Sequence, residues 1–311
     1  MDWKLDKCAR RAPDSNRSAI RGADRRGGRT ISRSVGFAAA ALLVMFLGAC
    51  HRHPPPPGPP PYAPFNYQIA VGEDRYNIVG YFAPVPGGAR APALLVLEAG
   101  EGTALRCIQR ANEFTAMGIG VACINIPGYG KSSGPSRFVG PQAVEAAHHA
   151  VDLLAARSDV DPARIAVWGI SDGAVAAGLL MDSDPRLHAV VLQAGFYDTL
   201  KWWPEATLPE KLAVLRQVWP SHRVMAERSV IAHLPPKLDL NVLIMHGEHD
   251  HKMPVEQARR LAKALSARGA HVETRIFADG GHDLGSEIDA PLREFLHASL
   301  LAAAPAASAT P

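Results

Sequence analysis

The 311-residue chain has only four cysteines, and Phe, Trp and Tyr together make up 6% of it. Four scattered cysteines cannot staple a small disulfide scaffold, and none stands at Cys/His spacing suited to a metal. Long apolar runs are missing too: Val35 to Ala49 is too short for a comfortable membrane span. The body lacks an excess of positive charge. Residues 1 to 34 hold ten Lys/Arg against four Asp/Glu, which leaves 23 against 26 from residue 51 onward. No basic run with interleaved aromatics follows that leader, so nothing points to a nucleic-acid surface and no nucleic-acid partner is expected. No internal repeat is visible. What is present is 47% apolar sequence, enough to bury the core of one globular domain behind an appended leader.

The leader is Arg-rich, then apolar, and ends in Leu47-Gly48-Ala49-Cys50. Those four residues resemble the lipobox of bacterial lipoproteins. The resemblance implies a signal peptide over residues 1–49 with an unusually long cationic region, cleavage before Cys50, and diacylglycerol on the Cys50 sulfur. An ordinary secretory signal or a short anchor helix is the alternative. His53 to Pro64 is mostly proline, which favours an extended spacer, so residues 50–64 read as a lipidated tether. His51 is not the Asp that retains such proteins at the inner membrane of enteric bacteria. The expected address is therefore the cell envelope, at the periplasmic face of the outer membrane, with the membrane as a partner through the lipid. With Cys8 and Cys50 set aside, Cys107 and Cys123 are expected to be two separate buried thiols. An oxidising compartment would also permit a disulfide between them.

From residue 65 to 303 short apolar runs alternate with longer stretches of helical period, the pattern of an α/β fold with a mostly parallel sheet and crossover helices. The eight expected strands are Tyr67 to Val71, Ile78 to Phe82, Ala93 to Leu97, Gly120 to Ile124, Ile165 to Trp168, Ala189 to Gln193, Val242 to His246 and Val272 to Phe277. The expected helices are Ala104 to Met117, Pro141 to Arg157, Asp172 to Met181, Pro254 to Ala267 and Glu287 to Ala302. About residues 196–240 the alternation breaks, which reads as a cap insertion. Its Trp202, Trp203 and Trp219 are candidates either for a substrate pocket or for the cap's own core. Residues 304–311 read as a disordered tail.

Gly169-Ile170-Ser171-Asp172-Gly173 follows an apolar strand and opens a small-residue helix. This is the Gly-x-Ser-x-Gly elbow, in which the glycines permit close backbone approach and the serine hydroxyl stands clear of the sheet. The following backbone N–H, that of Asp172, aims where an oxyanion forms. Downstream, Asp250 stands at the end of the strand that includes His246, and His282 stands on a glycine-rich loop after the last strand. A serine hydroxyl needs an imidazole to take its proton, and the imidazole needs a carboxylate to orient it. The order Ser171, Asp250, His282 is that of the α/β-hydrolase fold. His246, His249 and His251 read as residues of the turn around Asp250 rather than as a metal site.

On these motifs the chain resembles the α/β hydrolases over residues 66 to 303. Asn125 to Ser132 is similar to the turn after the fourth strand of those enzymes. The stretch His246 to Ala258 is similar to the catalytic domains of prolyl oligopeptidases and dienelactone-hydrolase-like enzymes. Two departures stand out. Prolyl oligopeptidases carry a propeller ahead of the catalytic domain, and here about fifteen residues of tether are expected before the first strand. Where those peptidases place an oxyanion-binding Tyr, this chain has Glu98, and a carboxylate cannot donate a hydrogen bond. The second oxyanion donor is therefore assigned to the Gly100 N–H, with Glu101 as the nearest competitor and Glu98 pointing away. The resemblance implies a serine hydrolase with no metal and no cofactor, acting on a small ester or short peptide. Ester cleavage through an acyl-enzyme leads; a small peptidase or amidase, or a non-catalytic envelope binding protein, are the alternatives.

Overall fold

The computed structural model describes residues 61–98 and 104–302. The elements run β1 (Ala63–Val71), β2 (Asp74–Ala83), β3 (Ala91–Glu98), α1 (Ala104–Gln109), α2 (Asn112–Thr115), β4 (Gly120–Asn125), α3 (Pro141–Ala155), β5 (Val160–Ile170), α4 (Asp172–Ser183) and β6 (Leu187–Gln193). Four short helices follow: α5 (Thr199–Glu205), α6 (Leu208–Leu215), α7 (His222–Ala226) and α8 (Val230–His233). The chain closes with β7 (Asn241–Gly247), α9 (Glu256–Ser266), β8 (His271–Phe277) and α10 (Asp289–Leu296).

All eight strands form one sheet in the order β1-β2-β4-β3-β5-β6-β7-β8. β1 and β2 are antiparallel, and the pairs from β4–β3 to β7–β8 are parallel. The central strands β3, β4 and β7 are almost wholly buried, and this explains why they read as unbroken apolar runs: each is covered on both faces. One face packs against α3, α4, α9 and the four-helix insertion, the other against α1, α2 and α10. The chain leaves β3 toward β4 on one side and returns as β5 on the other. Loops diverge at such a reversal and open a crevice at the strands' carboxyl ends.

Several expectations are corrected. β1 begins at Ala63, so residues 63–64, read as tether, belong to the sheet. Pro64 is tolerated there because, among the described residues, β1 is an edge strand with no partner on its outer side. The helix expected over 104–117 is two, broken by a turn at Arg110 and Ala111. The C-terminal helix starts at Asp289, after a 3₁₀ turn over Gly285–Ile288, and ends in a π turn over His297–Leu301. Cys107 and Cys123 are not separate thiols: α1 packs over β4, and the two form a disulfide with a Cα–Cα distance of 6.1 Å. Cys50, Gly100 and residues 304–311 lie outside the described residues.

The insertion shares the core of the α3, α4 and α9 face. Trp202 is buried and stacked with Phe196 and Phe138, at centroid distances of 5.3 and 5.9 Å. Arg137, Phe138 and Val139 all have positive φ, between 48° and 50°, a conformation that is strained for a β-branched residue. Buried Arg228 holds this segment, donating from Nε to the Phe138 carbonyl at 2.8 Å and from Nη2 to the Arg137 carbonyl at 3.0 Å. The insertion is thereby locked to the loop that leads into α3.

Candidate active site

Ser171 stands between β5 and α4 with φ 54° and ψ −118°. The turn is this sharp because both neighbouring glycines are in close contact with backbone. A Cβ on Gly169 would lie 2.2 Å from the Gly173 carbonyl oxygen, and one on Gly173 would lie 2.1 Å from that of Leu97. The Ser171 N–H donates to the Gln193 carbonyl at 2.8 Å, which fixes the elbow to β6.

The structure brings the three expected side chains together. Ser171 Oγ lies 3.0 Å from His282 Nε2, and His282 Nδ1 lies 2.8 Å from Asp250 Oδ2. The other Asp250 oxygen accepts the N–H groups of Lys252 and Met253, each at 2.9 Å. Burial alone would raise the Asp250 pKa, but the His282 hydrogen bond, the Met253 N–H and the charges of His282 and His246 outweigh it. The carboxyl is held below its ordinary range. An ionised Asp250 fixes the proton of His282 on Nδ1, leaving Nε2 to accept from Ser171.

His246 is completely buried, and its Nε2–H donates to the Met253 carbonyl at 2.8 Å. Burial lowers its pKa against the opposing effects of the Met253 carbonyl and the Asp250 charge, and the ring serves the turn that presents Asp250.

Asp172 is the first residue of α4, so its N–H has no acceptor within the helix. Its side chain was not singled out by sequence reasoning. That carboxylate accepts the phenol O–H of Tyr129. Burial raises the Asp172 pKa against the opposing effects of Tyr129 and His282, and burial together with the Asp172 charge raises that of Tyr129. Tyr129 belongs to the turn Asn125 to Ser132, which the sequence marked only as a likeness. Its positioning follows from local bonds: Ser132 Oγ donates to the Asn125 carbonyl at 2.7 Å, and Gly130 (φ 55°) fits tightly against the Asn125 side chain.

Glu98 lines a cavity of about 390 Å³ with Arg106, Arg110, Trp168, Ile170 and Gln193, and neither Ser171 nor His282 is among its described walls. Burial pushes the Glu98 carboxyl up to about 7, against the opposing charges of Arg106 and Arg110.

Residues 108–298 match the model of the prolyl oligopeptidase family. The chain belongs to that family. An uncharacterised Mycobacterium tuberculosis relative is 30% identical over 206 residues, 64% of this chain and 66% of its own length. Acylamino-acid-releasing enzyme 2 of Oryza sativa subsp. japonica is 26% identical over 235 residues, 69% of this chain but 30% of that enzyme. The acetyl xylan esterase of Paenibacillus sp. R4 superposes with a TM-score of 0.59 at 18% identity, covering 77% of this chain and 90% of the esterase. It shares the fold. This prolyl oligopeptidase family member has the α/β-hydrolase fold, and it spans just under two thirds of its Mycobacterium relative.

Proposed function

We propose that this hydrolase cleaves carboxylic esters through an acyl-enzyme. The observation that carries the reading is the continuous relay from Ser171 Oγ through His282 to Asp250, at 3.0 and 2.8 Å. Ser171 attacks the ester carbonyl as His282 Nε2 takes its proton. The resulting imidazolium then protonates the departing alkoxide, and a water repeats the cycle on the acyl-enzyme. Asp250 holds the imidazole in the required tautomer. The Asp172 N–H supports the oxyanion, and the second donor, assigned to Gly100, rests on sequence.

Esters are favoured over amides by Glu98. In sequence it occupies the position where peptidases of this resemblance carry a donating phenol, so one means of stabilising the harder amide transition state is missing from that position. The second reading, a peptidase or amidase, is favoured by the likeness to an acylamino-acid-releasing enzyme. A panel of nitrophenyl esters and peptide anilides separates the two. Ser171→Ala is expected to abolish both fluorophosphonate labelling and ester hydrolysis while leaving thermal unfolding nearly unchanged. Full hydrolysis by that variant would end the reading.

The proposed site of action is the cell envelope, reached through lipid on Cys50. The Cys107–Cys123 disulfide supports this, since such bonds persist in oxidising compartments.

A further inference from the structure

The insertion exposes an apolar stripe that its own fold does not use. In α6 the pattern is inverted: Val214 faces the core at 1% exposure, while Leu208, Leu212 and Leu215 are 70%, 45% and 44% exposed. Spacings of four and three residues place these leucines on one helix face. Trp219, four residues beyond Leu215, is 80% exposed and is the most exposed of the large apolar side chains described. The helix is no accident of packing, because Thr207 and Glu210 form a capping box at its start. None of the three leucines nor Trp219 lines the cavity beside Glu98 or the smaller one between the insertion and α9. The stripe is therefore separate from both cavities.

Its surroundings point to an occupant. From Lys201 to Arg223 the chain has Lys201, Lys211, Arg216 and Arg223 against Glu205 and Glu210. This is a positive stretch on a body that is otherwise acidic, 23 Lys/Arg against 26 Asp/Glu from residue 51 onward. Exposed leucine and tryptophan with Lys and Arg nearby in sequence is the composition of a segment lying in a lipid interface. The four side chains offer on the order of 500 Å², enough to mark an interaction site but short of the roughly 800 Å² per partner of a stable protein interface. A second copy of this chain fits less well. The proposed lipid on Cys50, eleven residues before Pro61, would hold the chain at a membrane.

We infer that the face formed by Leu208, Leu212, Leu215 and Trp219 docks on the surface of an anionic phospholipid bilayer. The leucines and the Trp219 indole enter the headgroup boundary, and the flanking cations meet lipid phosphates. This goes beyond the hydrolase reading and stands without it.

The test uses the full chain with vesicles of phosphatidylethanolamine and phosphatidylglycerol, prepared with and without brominated acyl chains. The emission of Trp219 is taken as the difference between wild type and Trp219→Phe, so an N-terminal attachment that leaves Trp219 in water gives no signal. The expected result is loss of most of that difference emission in brominated vesicles and a blue shift in plain ones. Both should weaken in phosphatidylcholine and at high salt. A triple variant, Leu208→Ser, Leu212→Ser and Leu215→Ser, should lose the quenching while hydrolysing a soluble ester at the wild-type rate, which shows that it is folded. Equal Trp219 emission in brominated and plain vesicles overturns the proposal. So does a dimer in light scattering that the triple variant dissolves, which would assign the stripe to self-association.

Discussion

Ser171 is held at φ 54° and ψ −118°, where only glycine is comfortable, at a cost on the order of 1–3 kcal/mol. Ser171→Gly is therefore expected to raise stability by about 1 kcal/mol, after the entropy that glycine loses on folding, while eliminating hydrolysis; urea unfolding of the two proteins measures it. Glu98 titrates in the opposite sense to most carboxylates. Its pKa rises from 4.5 to about 7 on folding, so between those values the folded state binds more protons than the unfolded one. Stability falls as pH rises through that window. Glu98→Gln stays neutral, so wild type should lose ground to it from pH 4.5 to about 7 and run parallel to it above. Urea midpoints across that range are the check, and parallel curves throughout would contradict the burial of Glu98. The Ser171, Asp250 and His282 constellation was legible because each residue stands at a fixed offset from an apolar strand end. The Tyr129–Asp172 hydrogen bond was not, because its partners are 43 residues apart and only the fold brings them together.

At the scale of elements, the Cys107–Cys123 bond ties α1 to β4 across 16 residues. Closing a loop of that size removes unfolded-state entropy worth roughly 3 kcal/mol. Reduction, or Cys107→Ser with Cys123→Ser, should lower unfolding free energy by about that amount, read from denaturant curves with and without reductant. The parallel strands were readable in sequence because burial on both faces writes them as continuous apolar runs. The edges were less so: Pro64 suggests a tether until the sheet shows that β1 has a free side to accommodate it. The break between α1 and α2 carries no Gly or Pro at Arg110 and Ala111, so helical period ran through it. The insertion's helices are too short for periodicity to reveal, although Thr207 to Glu210 carried a legible start signal. Trp202 packs into the core shared with α3, α4 and α9, while Trp219 belongs neither to that core nor to a described cavity.

For the whole molecule, the proposed anchor makes one demand that fractionation can check. Cys50→Ser should move the protein from the membrane to the soluble fraction and abolish incorporation of a fatty-acid analogue. Unchanged membrane association together with retained labelling would place the attachment elsewhere. A chain held at its N-terminus also bears load, and the topology decides where that load goes. Tension reaches the described fold at Ala63, which pairs with Phe82 at the open end of an antiparallel hairpin. Pulled there, β1 opens one pair at a time toward the turn at Gly72, like a zipper, so it yields at low force. The strands that present Ser171, Asp250 and His282 lie on the other side of β2, β4 and β3 in the sheet. Under the proposed anchor the edge hairpin would act as a mechanical fuse, taking up strain before it reaches the nucleophile.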